Sequence, residues 1–164
     1  MAKTDSFFIR ASTDFNGTTY AQTSIDLGAY VDALGKSVLR IHNVAVMYGE
    51  SGVDTISIPA GQHRAGFQIT TQSQSAMVGA DDKSLVTAGS LFATDDVNGN
   101  AFISQSLDIA PQHYTNGYLI GVEQIYMAVD QTADLGLTAV GVVLECTVET
   151  LSQNAAMALA LSQQ

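Results

Sequence analysis

The sequence has almost no cysteine: Cys146 stands alone among 164 residues. No intramolecular disulfide can form, which excludes a disulfide-stapled secreted mini-domain. Basic residues are nearly as scarce. Lys3, Arg10, Lys36, Arg40, Arg64 and Lys83 are the whole set, and residues 84–164 hold none. That same stretch carries Asp95, Asp96, Asp108, Glu123, Asp130, Asp134, Glu145 and Glu149. Neutralising phosphates takes clustered Lys and Arg, so a chain of net charge −10 with scattered cations is not expected to bind nucleic acid directly. No run approaches the roughly 18–20 apolar residues of a membrane-spanning helix. Met1-Ala2-Lys3-Thr4-Asp5 does not open an apolar leader, so synthesis in a cytoplasm without a signal peptide is expected.

Charged residues of both signs make up 13 % of the chain, against roughly 25 % in ordinary globular proteins, and 46 % are apolar. Ser, Thr, Gln, Asn and Gly supply the remaining polarity, as on surfaces built to touch one another. A chain of this length suits one domain and buries roughly 68–70 % of the surface its unfolded form exposes.

Short alternating apolar runs separated by turn signals dominate, which favours an all-β fold. Eight strands are expected: Phe7–Ser12, Tyr20–Leu27, Val38–Tyr48, Asp54–Ile58 continuing after a turn as Ala65–Thr71, Ser84–Phe92, Phe102–Ile109, Leu119–Val129 and Leu137–Leu151. Asn16-Gly17, Gly49-Glu50-Ser51-Gly52, Pro59-Ala60-Gly61, Asn98-Gly99-Asn100, Pro111 and Asn116-Gly117 punctuate them. In the last strand Thr138, Val140, Val142, Leu144, Cys146 and Val148 share the core face. Ala139, Gly141, Val143, Glu145, Thr147 and Glu149 share the wet or lightly packed one.

Two long strands change phase. The apolar run Leu39, Ile41 jumps to Val44, Val46 across His42-Asn43, and Glu123-Gln124 interrupts Leu119–Val129. Each change predicts a β-bulge or a strand covered on both faces. Gly28–Gly35 has room for one or two helical turns closed by Gly35. The Ala-, Leu- and Met-rich tail 152–164 suits a short helix or an extended arm.

No catalytic constellation is present, so no enzyme activity is expected. His42, His63 and His113 lack zinc-ligand spacing, and no Gly-x-Ser-x-Gly elbow or phosphate-cradling glycine loop occurs. Cys146 lies on the inward face, as a small core residue rather than a nucleophile. Asn16-Gly17-Thr18 matches a glycosylation acceptor, and without a secretion signal it reads as a turn. The one oxygen-rich loop is Asp95-Asp96-Val97-Asn98-Gly99-Asn100. Asp95, Asp96, Asn98 and Asn100 are candidate calcium ligands, the last three by their alternation, but Ala101 stands where an EF-hand loop needs glycine and Leu107 where it needs glutamate. A turn is the favoured reading, and no cofactor is expected.

Eight strands in one domain fit a two-sheet antiparallel sandwich, and the jelly roll is its eight-stranded form. An immunoglobulin-like sandwich is the rival, with seven or nine strands over about 100 residues. The lead into Ser6-Phe7-Phe8-Ile9-Arg10, the segment Thr23-Ser24-Ile25-Asp26-Leu27-Gly28-Ala29-Tyr30-Val31, and Lys36-Ser37-Val38-Leu39-Arg40-Ile41-His42-Asn43-Val44 resemble small viral single-jelly-roll coat proteins. The final long strand and short tail extend that likeness of layout over most of the chain.

The resemblance implies a jelly-roll domain over 1–151 with a C-terminal tail, no catalytic residues, and a self-assembling shell subunit located in a virion. Its partners would be copies of itself, with room for a second capsid protein. Many such coat proteins carry a basic N-terminal arm, and here only Lys3 and Arg10 stand there. The genome would then be contacted by another protein or lie beneath an internal membrane. The alternative is a jelly-roll binding module, lectin-like or receptor-binding, which would present exposed aromatics beside Asp and Asn. Phe92 and Phe102 flank the acidic loop. A cupin-type enzyme would need a His/Glu metal cluster that the sequence lacks.

Overall fold

The computed structural model describes residues 3–164 apart from 33, 35, 51 and 97. Nine strands follow in chain order: β1 (Phe7–Asp14), β2 (Ala21–Asp26), β3 (Ser37–Tyr48), β4 (Gly61–Thr70), β5 (Leu85–Asp95), β6 (Ala101–Ile109), β7 (Tyr118–Ile120), β8 (Gln124–Gln131) and β9 (Ala139–Thr150). A 3₁₀ turn, Pro111–His113, and one helix, α1 (Gln153–Ser162), complete the regular elements.

One sheet has the order β1-β9-β3-β7 and the other β2-β8-β4-β5-β6, with antiparallel pairing throughout. The first strand pairs with the last and the second with the last but one. β3 then flanks β9, and β4 flanks β8. This interleaving of the chain's two ends as Greek keys is the jelly roll, and β6 is an added edge strand beyond its eight.

Between the sheets, Leu39, Ile41, Phe67, Ile69, Ile125, Met127 and Leu144 are fully buried in one cluster. Burying a side chain of this size stabilises by about 1.5–3 kcal/mol. The last strand alternates as expected from Val140 to Cys146, with Val140, Val142, Leu144 and Cys146 inside, but Thr138, expected on the core face, is exposed ahead of the strand and Ala139, expected on the other face, is buried. Its opposite face is not uniformly wet, because Thr147 and Glu149 are also buried. The phase jump in β3 is a bulge, since the register with β9 shifts between Ile41 and Asn43. Gly117 (φ +64°) turns the chain back against that bulge, where a Cβ would strike the Ile41 carbonyl.

Two expected strands are corrected. Leu119–Val129 is two strands in different sheets, which is why nine form instead of eight. The polar pair Glu123-Gln124 is exposed where the chain crosses between layers, and the Leu27 amide donates to the Glu123 carbonyl at 2.7 Å. Asp54–Ile58 is not a strand. It is held instead by the Asp54 carboxylate, which accepts from the Glu50 and Thr138 amides (3.0 and 2.8 Å), and by the Ser57 amide on the Leu135 carbonyl. Gly28–Gly35 holds a single turn, with the Tyr30 and Val31 amides both on the Leu27 carbonyl, and its expected closure at Gly35 lies outside the described residues. So do Ser51 and Val97 of the expected loops, and Met1-Ala2 at the N-terminus.

Candidate assembly surfaces

The three histidines lie apart from one another. His42 bonds the Thr147 hydroxyl from the β3 bulge (2.9 Å), His63 reaches the Ala60 carbonyl from the other sheet (3.1 Å), and His113 ends the 3₁₀ turn. Among the described residues no three His, Cys, Asp or Glu side chains form a metal-holding group. Cys146 is buried, and that burial, with the Glu145 charge adding to it, pushes its thiol up to about 12. A thiol so protonated is a poor nucleophile. Asn16 lies in the turn closed by the Thr19 amide on its carbonyl.

The four calcium candidates lie at the β5–β6 hairpin, but not as one ligand loop. Asp95 belongs to β5, opposite Ala101. The Asp96 carboxylate accepts from the Asn98 amide (2.9 Å), the Asn100 amide (3.2 Å) and the Asn100 side-chain amide (2.8 Å). Those bonds close the turn and hold its carboxyl below the ordinary value.

The hairpin does present aromatics. Phe92 pairs with Ser104 and Thr94 with Phe102, so the two phenyl rings lie diagonally on one outward face, 45 % and 66 % exposed. On its other face Ile103, opposite the buried Ala93, is 43 % exposed at the open edge of the sandwich.

A second apolar surface lies on the opposite sheet. Registers across β1, β9 and β3 set three outward rungs: Phe8·Glu145·Asn43, Arg10·Val143·Ala45 and Ser12·Gly141·Met47. The intervening rungs, Ile9·Leu144·Val44 and Ala11·Val142·Val46, face the core. The outward rungs form a shallow trough floored by Gly141, Ala45 and Val143, with Phe8 (58 % exposed) and Met47 (54 %) standing above it. Gln112 closes the outer edge of β3 here: its amide donates to the Val44 carbonyl and accepts from the Val44 N–H, both at 3.0 Å. Sequence alone did not single out this surface. Its signal was the small apolar residues Gly141 and Val143 on the face of the last strand expected to be wet or lightly packed.

The tail forms a helix capped by Ser152, whose hydroxyl accepts from the Ala155 amide (3.2 Å). Ala156 and Ala160 are buried, while Met157 and Leu161, four residues apart, are exposed. Helix and domain meet at Gly121, where a Cβ would press on Leu159.

No protein-family model matches the chain, and no curated protein matches it in sequence. Among solved structures it is similar in fold to viral coat proteins. An unassembled Merkel cell polyomavirus VP1 pentamer subunit is 8 % identical with a TM-score of 0.35, over 88 % of this chain and 94 % of that one. Trichodysplasia spinulosa-associated polyomavirus VP1 gives 10 % and 0.39 over 88 % and 95 %, and Desmodium yellow mottle tymovirus 12 % and 0.33 over 89 % and 87 %.

Proposed function

We propose that this chain is a structural coat subunit that assembles with copies of itself into the shell of a virion. One observation carries the proposal: a single copy leaves two unlike apolar surfaces uncovered on opposite sheets, Phe8 with Met47 on one and Phe92 with Phe102 on the other. Exposed apolar clusters mark interaction sites. Surfaces on opposite sheets of one sandwich cannot both be covered by one two-fold dimer. Covering both requires at least two neighbours, and contacts repeated by symmetry build assemblies larger than a dimer. Low charge density helps, because close approach of like subunits brings few charges out of water.

The genome is left to another component. Arg40 is engaged with Glu149 and Arg10 stands on the apolar face, which supports that reading by leaving few of the six cations to meet phosphate. A second capsid protein or an internal membrane would take that role. The test is negative-stain imaging of the purified chain over rising concentration at ~0.15 M salt and above, where repulsion between acidic copies is screened. Closed particles or regular arrays are expected. A chain that sediments as a monomer at every concentration and salt overturns the proposal.

A further inference from the structure

We infer that the outward face of β1, β9 and β3 is a two-fold contact, occupied by the same face of a second copy and fixed in register by Arg10 of each chain meeting Glu145 of the other. This deepens the shell reading by naming which surface forms one of its contacts, and it can stand or fall separately.

The two outer faces of the sandwich are treated differently by the chain itself. On the sheet containing β4, the outward Gln68 is fully buried, because the following loop lies over it: its side-chain amide donates to the Ala76 carbonyl (3.1 Å) and accepts from the Val78 amide (2.8 Å). The Phe8, Arg10 and Ser12 rungs carry no such cover, and all three of those side chains are exposed. Yet the floor there is apolar and small. Gly141, Ala45 and Val143 let a second sheet approach to the ~10 Å of ordinary face-to-face packing. Phe8 and Met47 stand as knobs beside the trough, so the face offers both parts of an interdigitating contact.

Charge decides the occupant. The chain is acidic, −10 overall, so its net charge opposes the approach of a second copy. On this face one cation and one anion stand in adjacent rungs. Among the described residues no side chain bonds to Arg10, and Glu145 receives only a long 3.4 Å contact from Asn43. A two-fold axis midway between the two sheets, perpendicular to the strands and level with the gap between the Phe8 and Arg10 rungs, carries Arg10 of one copy over Phe8 of the other. In projection that places it one strand spacing, ~4.8 Å, to the side of the second copy's Glu145, and the two long side chains reach toward each other across the ~10 Å between the sheets. The exchange occurs twice by symmetry, and the guanidinium also lies over a phenyl ring, a favourable arrangement. Three strands at ~4.8 Å spacing and about eight residues at ~3.3 Å each give a face smaller than the ~800 Å² per partner of a standard stable interface. The pair is therefore weak, a contact that repetition strengthens.

The test is charge exchange, read by sedimentation velocity from low to several hundred micromolar protein. Wild type should show a concentration-dependent dimer. Arg10→Glu and Glu145→Arg should each weaken it at least tenfold, and R10E/E145R should restore it. All four chains should melt alike, since both side chains are outside the core. Singles that dimerise like wild type, or a double variant that stays as weak as the singles, overturn the contact. Imaging the same samples separates the two proposals. A dimer that follows the exchange pattern with no particles at any concentration leaves the contact standing and removes the shell. Particles that form equally well from every variant leave the shell standing and remove the contact.

Discussion

Arg40 and Glu149 form an ion pair across the β3–β9 seam, with two guanidinium nitrogens directed at one carboxylate that is 4 % exposed. A third nitrogen donates to the Asn116 carbonyl, tying the turn before β7 to the same group. The pair sits on the face of β9 that alternation leaves wet or lightly packed.

Removing one partner strands the other. Arg40→Met leaves Glu149 buried and uncompensated, and should cost about 3 kcal/mol in urea unfolding. R40M/E149L replaces both charges with apolar groups of similar volume and should return to within about 1 kcal/mol of wild type. A double variant as unstable as the single would mean that lost packing, not the orphaned charge, sets the cost.

Acid should loosen the loops before the sheets. Hydrogen bonds hold three carboxyls below the usual 3.8: Asp54 through the Thr138 hydroxyl, then the Thr138 and Glu50 amides; Asp82 through the Ser84 hydroxyl and amide; Asp96 through the Asn100 side chain and the Asn98 amide. A carboxyl depressed in the folded state contributes stability that is fully present above its unfolded value. That contribution disappears as pH falls through the folded value. Melting temperature should therefore drop as pH falls below about 4, and Asp54→Ala should flatten the drop while lowering the neutral-pH value. A D54A curve parallel to wild type would rule out this role.

Calcium should leave the protein unchanged. The Asp96 carboxylate is occupied by Asn98 and Asn100, and Asp95 lies in the strand rather than the turn. A native-state ligand at a hundredfold excess over its Kd adds about 2.7 kcal/mol, a shift easily seen in a melt. Equal melting temperatures in millimolar calcium and in chelator are expected, and a calcium-dependent rise would reassign the loop.

Local signals foretold what local physics decides. The alternation of Val140, Val142, Leu144 and Cys146, the bulge at His42-Asn43, and the Asn116-Gly117 reversal all depend on residues within a few positions of one another. The division of Leu119–Val129 does not. Tyr118–Ile120 and Gln124–Gln131 have the same strand character, and only their partners, β3 for one and β2 and β4 for the other, put them in different layers. The outward trough was hidden for the same reason. It exists because Phe8 meets Glu145 and Arg10 meets Val143, pairings across more than 130 residues that no periodicity encodes. Asp54–Ile58 alternates like a strand, but Asp54 satisfies two backbone amides with its side chain and leaves no ladder to extend.

Gln163 should prove to be what fastens the tail to its own domain. Its side chain is buried and makes two 2.7 Å bonds to the end of β7: the Gly121 amide donates to Oε1, and Nε2 donates to the Leu119 carbonyl. These reproduce the bonds of a neighbouring strand, at a point where the chain is leaving one sheet for the other. Helix α1 adds little by itself, with Ala156 and Ala160 the buried residues of its ten. Ten residues are also marginal for an isolated helix in water. Gln163→Ala leaves two backbone groups without partners, at about 1–3 kcal/mol for each that stays buried and less where water enters. The global loss should be about 2 kcal/mol or below, because an undocked helix lets water reach both groups. Hydrogen exchange resolves the local event. In Q163A the Gly121 amide should exchange at least tenfold faster, while Leu144 at the centre of β9 keeps most of its protection. Unchanged exchange at Gly121 would show that Leu159 and the two alanines hold the helix without the clamp. Equal acceleration at Gly121 and Leu144 would show that the tail is part of the cooperative core rather than fastened to it.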